Sequence, residues 1–238
     1  MELRDLLRLY VVTDRELSRG RTEEEVVLAA IDGGATAVQL RAKHAGGLEM
    51  YRLAVRLRDI TSERGVLFIV NDRLDIALAA GADGVHLGQE DLPAVPALKV
   101  SRAAVKGGLL PGGRFVVGIS AENLEQALAA ERDGADYIGA SPVWATPTKP
   151  DAGPPMGLSG LREICSRVNI PVVAIGGVNH KTAADVLEAG AAGLAVVSAV
   201  VSAPDVREAA RSLALIIREH DSRRRQGPGH AAARGNNM

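Results

Sequence analysis

The chain has 238 residues, of which 47% are hydrophobic, a formal net charge of −1 and one cysteine. That length and apolar content suffice for one domain with a sizeable core. The balanced charge disfavours nucleic acid or an anionic membrane as a partner, and the lone Cys165 excludes an intrachain disulfide framework.

The first segment, MELRDLLRLYVVTD, has no long apolar core before a small-residue cleavage site. No segment of the chain approaches membrane-spanning length. We therefore expect a cytoplasmic protein with no membrane partner. Within this segment the run LYVVTD predicts the first strand.

One signal occurs four times along the chain: a helical pattern ends in Gly-Ala and a short apolar run follows at once. The pairs begin at Gly34, Gly81, Gly134 and Gly190. Glycine suits the position just past the end of a helix, so each pair predicts a helix-to-strand loop. Between the pairs lie four other apolar runs, each followed by a polar or glycine-rich turn and another helical pattern: LYVVTD, VLFIVND, FVVGIS and PVVAIGG.

Eight strands alternating with eight helices are therefore predicted. Short runs rich in Val, Ile, Leu and Ala indicate parallel strands that are covered on both faces. A doubly wound open sheet would contain similar strands. The count of eight, and the fourfold repeat of a two-strand unit, favour closure into a single α/β domain, a (β/α)8 TIM barrel. No GxGxxG motif follows the first strand to support a dinucleotide-binding sheet.

The predicted strands, in chain order, are Leu9–Thr13, Ala37–Arg41, Leu67–Asn71, Gly84–Leu87, Phe115–Ile119, Tyr137–Ala140, Val172–Ile175 and Leu194–Val197. The segment from Pro93 to Gly113 contains GGLLPGG and predicts an abbreviated fourth helix followed by a surface loop. Apolar periodicity ends near His220. The barrel domain is therefore predicted at residues 1–219, with a disordered, arginine-rich tail at residues 220–238.

Polar residues just past the strands are the candidates for chemistry, because barrel enzymes carry their active sites on the loops after the strands. Asn71 and Asp72 follow the third strand, and Asp91 follows the fourth in HLGQED. Neighbouring carboxylates can hold Mg²⁺, whose other positions are filled by water and substrate phosphate oxygens. Each aspartate could instead cap the helix after its strand. His86 is left out of the catalytic set, because an inward histidine at a strand end is as often a packing residue as a ligand.

Three cations are expected on the same face. Arg41 and Lys43 alternate along QLRAK after the second strand, and Lys149 lies in the loop after the sixth. A solvated rim or a structural ion pair would also place charges here. Three cations facing two carboxylates favour a metal-chelated pyrophosphate, which needs both signs.

A second anion site is expected after the last two strands. Gly177 in the IGG turn would let backbone N–H groups approach a phosphate, and Ser198 would add a hydroxyl. Phosphate sites of this fold are frequently built from these two loops, although IGG alone is only a tight turn. Two anion sites of different character suggest a reaction between a pyrophosphate-bearing and a phosphate-bearing molecule.

These motifs resemble those of thiamine phosphate synthase. QLRAK, ND, HLGQED, GIS, TPTKPDAGP followed by MGL, VVAIGGV and VVSA occur in the family's order and spacing, and the likeness runs from Leu9 to Arg218. It implies a transferase that condenses 4-amino-2-methyl-5-hydroxymethylpyrimidine diphosphate with 4-methyl-5-(2-phosphoethyl)thiazole. The products would be thiamine phosphate and pyrophosphate, with Mg²⁺ as the cofactor and the two phosphorylated molecules as the only partners implied.

The resemblance also implies residue roles. Asp72 and Asp91 would bind Mg²⁺. The pyrimidine diphosphate would be held by Gln39, Arg41, Lys43, Asn71, Ser120 and Lys149. The thiazole phosphate would be held by Thr146, Thr148, Gly177, Val197 and Ser198. The catalytic set would be Arg41, Lys43, Ser120 and Lys149, and no protein nucleophile is required.

Three other functions are compatible with such a barrel. A thiazole tautomerase would need no diphosphate partner, and the presence of five residues expected to bind the diphosphate and its metal argues against it: Arg41, Asn71, Asp72, Asp91 and Lys149. A phosphosugar lyase or isomerase would use Lys43 or Lys149 as a Schiff-base amine. A catalytically silent barrel would bind both molecules without releasing pyrophosphate.

Overall fold

A computed structural model describes residues 2–110, 114–146, 148 and 153–226. Within them the strands are Leu9–Val12 (β1), Ala37–Leu40 (β2), Leu67–Asn71 (β3), Gly84–Leu87 (β4), Val116–Ala121 (β5), Tyr137–Ala140 (β6), Val172–Ala174 (β7) and Gly193–Val196 (β8). The helices are Leu3–Leu6 (α1), Glu23–Asp32 (α2), Gly47–Arg64 (α3), Leu74–Ala79 (α4), Ala94–Lys106 (α5), Leu124–Arg132 (α6), Gly157–Arg167 (α7), Ala183–Glu188 (α8), Ser198–Val201 (α9) and Val206–Gln226 (α10).

The strands form a closed parallel barrel. Each strand pairs with its neighbour in the chain, and β8 pairs with β1. The predicted TIM barrel is therefore confirmed. The largest difference in a strand boundary is at β5, which ends at Ala121 rather than at Ile119.

The four Gly-Ala pairs form the helix-to-strand loops predicted from the sequence. Gly34, Gly81, Gly134 and Gly190 have φ values of 106°, 66°, 92° and 104°. A residue with a Cβ rarely adopts this left-handed conformation, so glycine at each position lets the chain leave the helix and enter the next strand.

The residue after three of these pairs secures the start of an adjacent strand. The side-chain oxygens of Thr36, Asp83 and Asp136 accept hydrogen bonds from the backbone N–H groups of Leu9 (2.9 Å), Phe68 (2.8 Å) and Val117 (2.8 Å). These contacts lie at the end of the barrel opposite the predicted site. Each contact gives an acceptor to a backbone N–H group that the hydrogen bonds between the strands do not satisfy.

Small residues and the N-terminal segment fill the lower barrel. Leu3 and Leu7 belong to the same buried cluster as the inward residues Tyr10 and Ile69. A Cβ on Gly193 would lie 1.8 Å from the carbonyl oxygen of Leu7, so only glycine lets the N-terminal segment pass this close to β8. The interior is thus packed at one end and open at the other.

Two expectations about helices are wrong. The fourth helix of the repeat, α5, has 13 residues and is not abbreviated. Its prolines do not interrupt it, because Pro93 is the N-cap and Pro96 lies in the first turn, where a backbone N–H has no helical partner. The structure also contains two four-residue helices that the sequence pattern did not predict, α1 and α9.

The last helix continues beyond the predicted end of the domain at residue 219. α10 runs to Gln226, and His220 within it is only 7% exposed. Arg8 forms an ion pair with Asp221 and donates to the backbone oxygen of Ala192, which ties this helix to the start of β1. The disordered tail predicted from residue 220 therefore begins too early, and its remainder, residues 227–238, lies outside the described residues. No helix in the described part of the chain is long and apolar enough to cross a membrane.

Candidate active site

A cavity of about 660 Å³ opens at the carboxyl ends of the strands. Every described residue of the predicted site lines it: Gln39, Arg41, Lys43, Asn71, Asp72, Asp91, Ser120, Thr146, Thr148, Gly177, Val197 and Ser198. Lys149, the third predicted cation, lies outside the described residues. Seven strands, β2 to β8, and the loops that follow them thus bring the predicted diphosphate and monophosphate residues to one cavity.

Asp72 lies on a strained turn directly after β3. Its φ is 63°, and the N–H of Arg73 donates to the carbonyl oxygen of Asn71 at 2.7 Å. A hydrogen bond that spans two residues around a positive φ is that of a classic γ-turn, a rare and costly conformation. Strain of this kind concentrates at ligand-binding sites, and here it aims the Asp72 carboxyl group at the cavity.

The two predicted metal ligands lie side by side. The carboxyl group of Asp72 is within hydrogen-bonding contact of Asp91. Burial, followed by the contact with Asp91 and its negative charge, raises the pKa of Asp72 to about 6, while the charges of Lys43 and Arg41 act in the opposite direction. Ionisation of both carboxyl groups is therefore unfavourable. Either a cation binds between them, or one of them keeps its proton.

Neither aspartate is a helix cap. The N-cap of α4 is Arg73, one residue after Asp72, and the N-cap of α5 is Pro93. The carboxylate of Asp91 instead accepts a hydrogen bond from the N–H of Gly88 at 2.6 Å within its own loop. The alternative interpretation of these residues as caps is therefore wrong.

Arg41 is fixed by two residues that follow β1. Its guanidinium donates to the carboxylate of Asp14 at 2.7 Å, and its backbone N–H donates to the hydroxyl of Thr13 at 3.0 Å. The side chains of Arg41 and Asp14 are only 17% and 13% exposed. Such a partly buried, charge-assisted hydrogen bond holds the guanidinium at the cavity wall in one orientation.

Two glycines in the loop after β7 let its backbone lie close to the loop after β6. Gly176 and Gly177 have φ values of 93° and 71°, and a Cβ on either would lie within 2.8 Å of the loop after β6, at Pro142 and Trp144. Two backbone hydrogen bonds continue the pairing of these loops beyond the strands: Val143 N–H to Ile175 O (3.0 Å) and Trp144 N–H to Gly176 O (3.1 Å).

Hydroxyl groups from the loop after β6 and from the start of α9 also line the cavity. The N–H of Thr148 donates to the Thr146 hydroxyl at 3.3 Å, and Ser198 is the exposed first residue of α9. The carbonyl oxygen of Gly177 accepts from Asn179 Nδ2 at 3.0 Å, which helps to fix the glycine turn. Backbone N–H groups and hydroxyls of this kind can bind a phosphate.

A hydrogen-bonded chain crosses the floor of the cavity. Gln39 Nε2 donates to Tyr10 Oη (2.8 Å), which contacts Tyr137 Oη (3.0 Å). Tyr137 Oη contacts His86 Nδ1 (2.9 Å), and His86 Nε2 contacts Ser120 Oγ (2.9 Å). Five strands contribute to this chain, which joins two predicted substrate-binding residues through three that the sequence did not indicate.

Sequence reasoning missed four residues of the site. Asp14 could have been found by the rule used for the others, because it comes just past the end of β1. Tyr10 and Tyr137 belong to apolar strand runs, so nothing distinguished them from packing residues. His86 was treated as a packing residue, and its two hydrogen bonds show that it links the floor of the cavity to Ser120.

Comparisons with known proteins agree with this geometry. The family model described as thiamine monophosphate synthase matches residues 9–200. This chain belongs to the thiamine monophosphate synthase family. A thiamine-phosphate synthase from Chloroflexus aurantiacus is 55% identical over 210 residues, which cover 88% of this chain and 92% of the relative. Another from Methanocella arvoryzae is 52% identical over 212 residues, which cover 89% and 95%.

Solved structures agree with the family assignment. A thiamine phosphate pyrophosphorylase from Pyrococcus furiosus superposes with a TM-score of 0.82 at 46% identity, over 92% of this chain and 99% of that one. A 3-hexulose-6-phosphate synthase at 18% identity, with a TM-score of 0.65 over 88% of this chain and 99% of that one, shares the fold alone. The predicted family, and the predicted activity of a thiamine phosphate synthase of the transferase class, are confirmed.

Proposed function

We propose that the cavity condenses a pyrimidine diphosphate with a thiazole phosphate, and that the carboxylates of Asp72 and Asp91 bind a Mg²⁺ ion shared with the diphosphate. The observation that carries this proposal is the contact between the two carboxyl groups beside Arg41 and Lys43. Opposite charges gathered at one wall suit a metal-chelated diphosphate better than they suit an uncharged substrate.

The residues present fit a magnesium ion. The described residues contain no group of three or more acidic, histidine or cysteine side chains that could hold a metal. Mg²⁺ needs no such cage, since one or two carboxylates together with water and substrate phosphate oxygens complete its shell. Burial, followed by the contact with Asp91, raises the pKa of Asp72, and a divalent cation bound to both carboxylates would stabilise their ionised forms. When bound, the ion neutralises charge that develops on the departing diphosphate.

The cations of the site act on the same leaving group. Arg41, oriented by Asp14, can donate two parallel hydrogen bonds to phosphate oxygens, and Lys43 adds a second positive charge at the same wall. As the bond to the pyrimidine methylene breaks, negative charge grows on the diphosphate, and these fixed groups stabilise it. The electron-rich aminopyrimidine stabilises the carbon that remains, and the thiazole nitrogen captures it. No protein nucleophile is needed.

The glycine turn after β7 serves the other substrate. Gly177, Thr146, Thr148, Val197 and Ser198 line the same cavity as the acids, and their backbone N–H groups and hydroxyls suit a monophosphate. Anchoring each substrate by its own phosphate group holds the two rings together. Such positioning can lower a bimolecular barrier by several kcal/mol, on the order of 7–11 for well-oriented reactants.

The test is to mix both proposed substrates with the protein and to assay thiamine phosphate and pyrophosphate with and without Mg²⁺. We expect both products in equal amounts, with turnover that requires the ion. Asp72→Asn and Asp91→Asn should each raise the Mg²⁺ concentration needed for half-maximal rate. Turnover that survives removal of the metal with a chelator contradicts the metal part of the proposal.

The same assay distinguishes the alternatives. A substrate trapped on lysine by borohydride would indicate a Schiff-base lyase or isomerase, and binding of both molecules without pyrophosphate release would indicate a sensor. The role of Lys149 stays a prediction from the sequence. Lys149→Ala should lower kcat by roughly 10²–10³-fold, the usual cost of removing one donor to a developing charge.

A further inference from the structure

The chain of hydrogen bonds under the cavity has a direction that the identities of its members determine. Tyr10 and Tyr137 are 2% and 0% exposed, so each hydroxyl must find partners within the protein. Gln39 approaches Tyr10 with its amide nitrogen, which can donate but cannot accept. Tyr10 therefore receives a proton from Gln39 and has to place its own proton on another acceptor.

That acceptor is the hydroxyl oxygen of Tyr137, 3.0 Å away. Among the described residues, the Tyr10 hydroxyl is hydrogen-bonded to Gln39 and Tyr137, and of these two contacts only Tyr137 presents an acceptor. Tyr137 must then direct its own proton to Nδ1 of His86 at 2.9 Å. If Tyr137 instead donated to Tyr10, the Tyr10 oxygen would accept two hydrogen bonds and its own proton would have no acceptor. Folded proteins avoid such an unsatisfied buried donor.

The direction of these hydrogen bonds also determines the role of the Ser120 hydroxyl. A neutral histidine that accepts at Nδ1 carries its proton at Nε2, and this atom is 2.9 Å from the Ser120 hydroxyl oxygen. Ser120 then accepts from His86, and its own proton is left to point into the cavity that Ser120 lines. We infer that His86 is a positioning residue, held with its proton on Nε2 by Tyr137, which makes Ser120 a hydrogen-bond donor toward the pyrimidine substrate.

Glycines make room for this arrangement. A Cβ on Gly118 would lie 2.1 Å from Tyr137 Cζ, and a Cβ on Gly139 would lie 2.8 Å from His86 Cε1. The two rings stack with their centroids 5.5 Å apart and an angle of 29° between their planes. The strands on both sides are thus shaped around the rings, which keeps the hydrogen bonds short and the histidine in one orientation.

The inferred role for Ser120 rests on the proposed function, whereas the proton position on His86 does not. The first measurement therefore uses the substrate-free protein. We would label histidine ring nitrogens with ¹⁵N, assign the His86 signals by their loss in His86→Gln, and record the spectrum near neutral pH. We expect Nδ1 to show the shift of an unprotonated, pyridine-like nitrogen and Nε2 that of a protonated, pyrrole-like one. A proton on Nδ1, alone or on both nitrogens, overturns the inference.

Two matched variants test whether Tyr137 sets the position of the His86 proton. Tyr137→Phe removes the donor to Nδ1, so the two-nitrogen pattern of His86 should change to that of a mixture of tautomers. Tyr10→Phe removes a hydroxyl one step further along the chain and leaves Tyr137 able to donate, so the His86 pattern should persist. Each variant loses one oxygen and keeps its ring. If both variants leave the pattern unchanged, Tyr137 does not set the proton position and the inference fails.

Kinetics test the positioning role. In Tyr137→Phe we expect kcat/KM for the pyrimidine diphosphate to fall about tenfold, as for the loss of one hydrogen bond, while KM for the thiazole phosphate stays within about twofold. The loss should not add to that of Ser120→Ala in the double variant, because both act through one hydroxyl proton. Additive losses would overturn the role of Ser120 as the endpoint. Absence of any turnover in the unmodified protein would contradict the proposed function and would leave the NMR result standing.

Discussion

At the residue scale, the contact between Asp72 and Asp91 makes the metal requirement depend on pH. The pKa of Asp72 is raised to about 6, so its carboxylate is ionised only above that pH, and protons compete with the cation below it. We expect the Mg²⁺ concentration for half-maximal rate to rise by about tenfold per pH unit as the pH falls below about 6. Initial rates over a grid of Mg²⁺ concentration and pH measure this directly.

Asp91→Asn is the informative variant for this prediction. The asparagine oxygen can still accept from the Gly88 N–H, but the negative charge beside Asp72 is gone. The pKa of Asp72 should fall, so the rise in Mg²⁺ requirement should begin at a lower pH than in the unmodified protein. A Mg²⁺ requirement that is constant from pH 5 to pH 8 in the unmodified protein would contradict the raised pKa.

The pairing of Arg41 with Asp14 leads to a second prediction at this scale. Asp14→Asn keeps the size of the side chain but removes the charge that holds the guanidinium, which donates to it at 2.7 Å. We expect kcat/KM for the pyrimidine diphosphate to fall about tenfold, because a preorganised donor loses its orientation. Asp75→Asn is the control, since the Asp75 side chain is 64% exposed in a surface pair with Arg73. Equal effects of the two variants would show that general charge loss, and not the position of Arg41, is responsible.

At the scale of elements, the residues after the Gly-Ala pairs stabilise the barrel without taking part in the site. The Asp136 carboxylate accepts from the N–H of Val117 at 2.8 Å, and an alanine there leaves that donor without its side-chain partner. We expect Asp136→Ala to lower the free energy of unfolding by about 1–3 kcal/mol, measured by denaturant titration. The specific activity of the folded protein should be unchanged, because this contact lies at the end of the barrel away from the cavity.

Asp133→Ala is the matched control for that measurement. Asp133 is three residues earlier, 40% exposed, and 3.6 Å from the exposed Arg132. A surface change of this kind is expected to alter the free energy of unfolding by no more than about 0.5 kcal/mol. A comparable loss in both variants would mean that the hydrogen bond to Val117 is not the cause.

The residues that follow the four Gly-Ala pairs do not all make the same contact. Thr36, Asp83 and Asp136 have a side chain that accepts from an adjacent strand, whereas the fourth position is Ala192. There, Arg8 donates to the backbone oxygen of Ala192 instead. The repeated Gly-Ala pairs were visible in the sequence, but the use of the following residue depends on which strand lies opposite, and this is a property of the closed barrel.

At the scale of the whole molecule, the final helix completes the barrel. α10 contacts α2 and α8, and its residues 220–226 lie beyond the domain boundary predicted from the sequence. A chain that ends at Glu219 loses the buried His220 and the partner of Arg8, so its Tm should fall by roughly 5 °C. A chain that ends at Gln226 keeps both contacts, so its Tm should lie above that of the chain that ends at Glu219. Differential scanning calorimetry of the three proteins measures whether residues 220–226 of α10 belong to the folded domain.

The prediction of that boundary failed for a physical reason. The stretch HDSRRRQ has no apolar periodicity, and periodicity was the only evidence that the sequence offered for a helix. His220 and Asp221 are held by tertiary contacts, through burial of the imidazole and the ion pair with Arg8. A helix that is stabilised by polar contacts with a distant residue leaves no local apolar pattern.

The alternation of strands and helices, the positions of the turns and the polar residues at the strand ends could all be predicted from local sequence patterns. These features are local: a strand needs a short apolar run, and a loop needs a glycine that can adopt a positive φ. Closure of the barrel could be inferred only from the count of eight strands and the fourfold repeat of a two-strand unit. The positions of the acids, cations and glycine turn past the strands predicted anion and metal sites, whereas the identities of the substrates rested on a resemblance of motifs.

Which of these residues contact one another became evident from the folded barrel alone. Tyr10 and Tyr137 are 127 positions apart, yet their hydroxyls are 3.0 Å apart. Asp14 reaches Arg41 across two loops, and Asp72 meets Asp91 from the next strand. Closure and register of eight strands set these distances. Because a hydrogen bond or a shared cation requires atoms within about 3 Å, the chemistry of the site exists only once the barrel has closed.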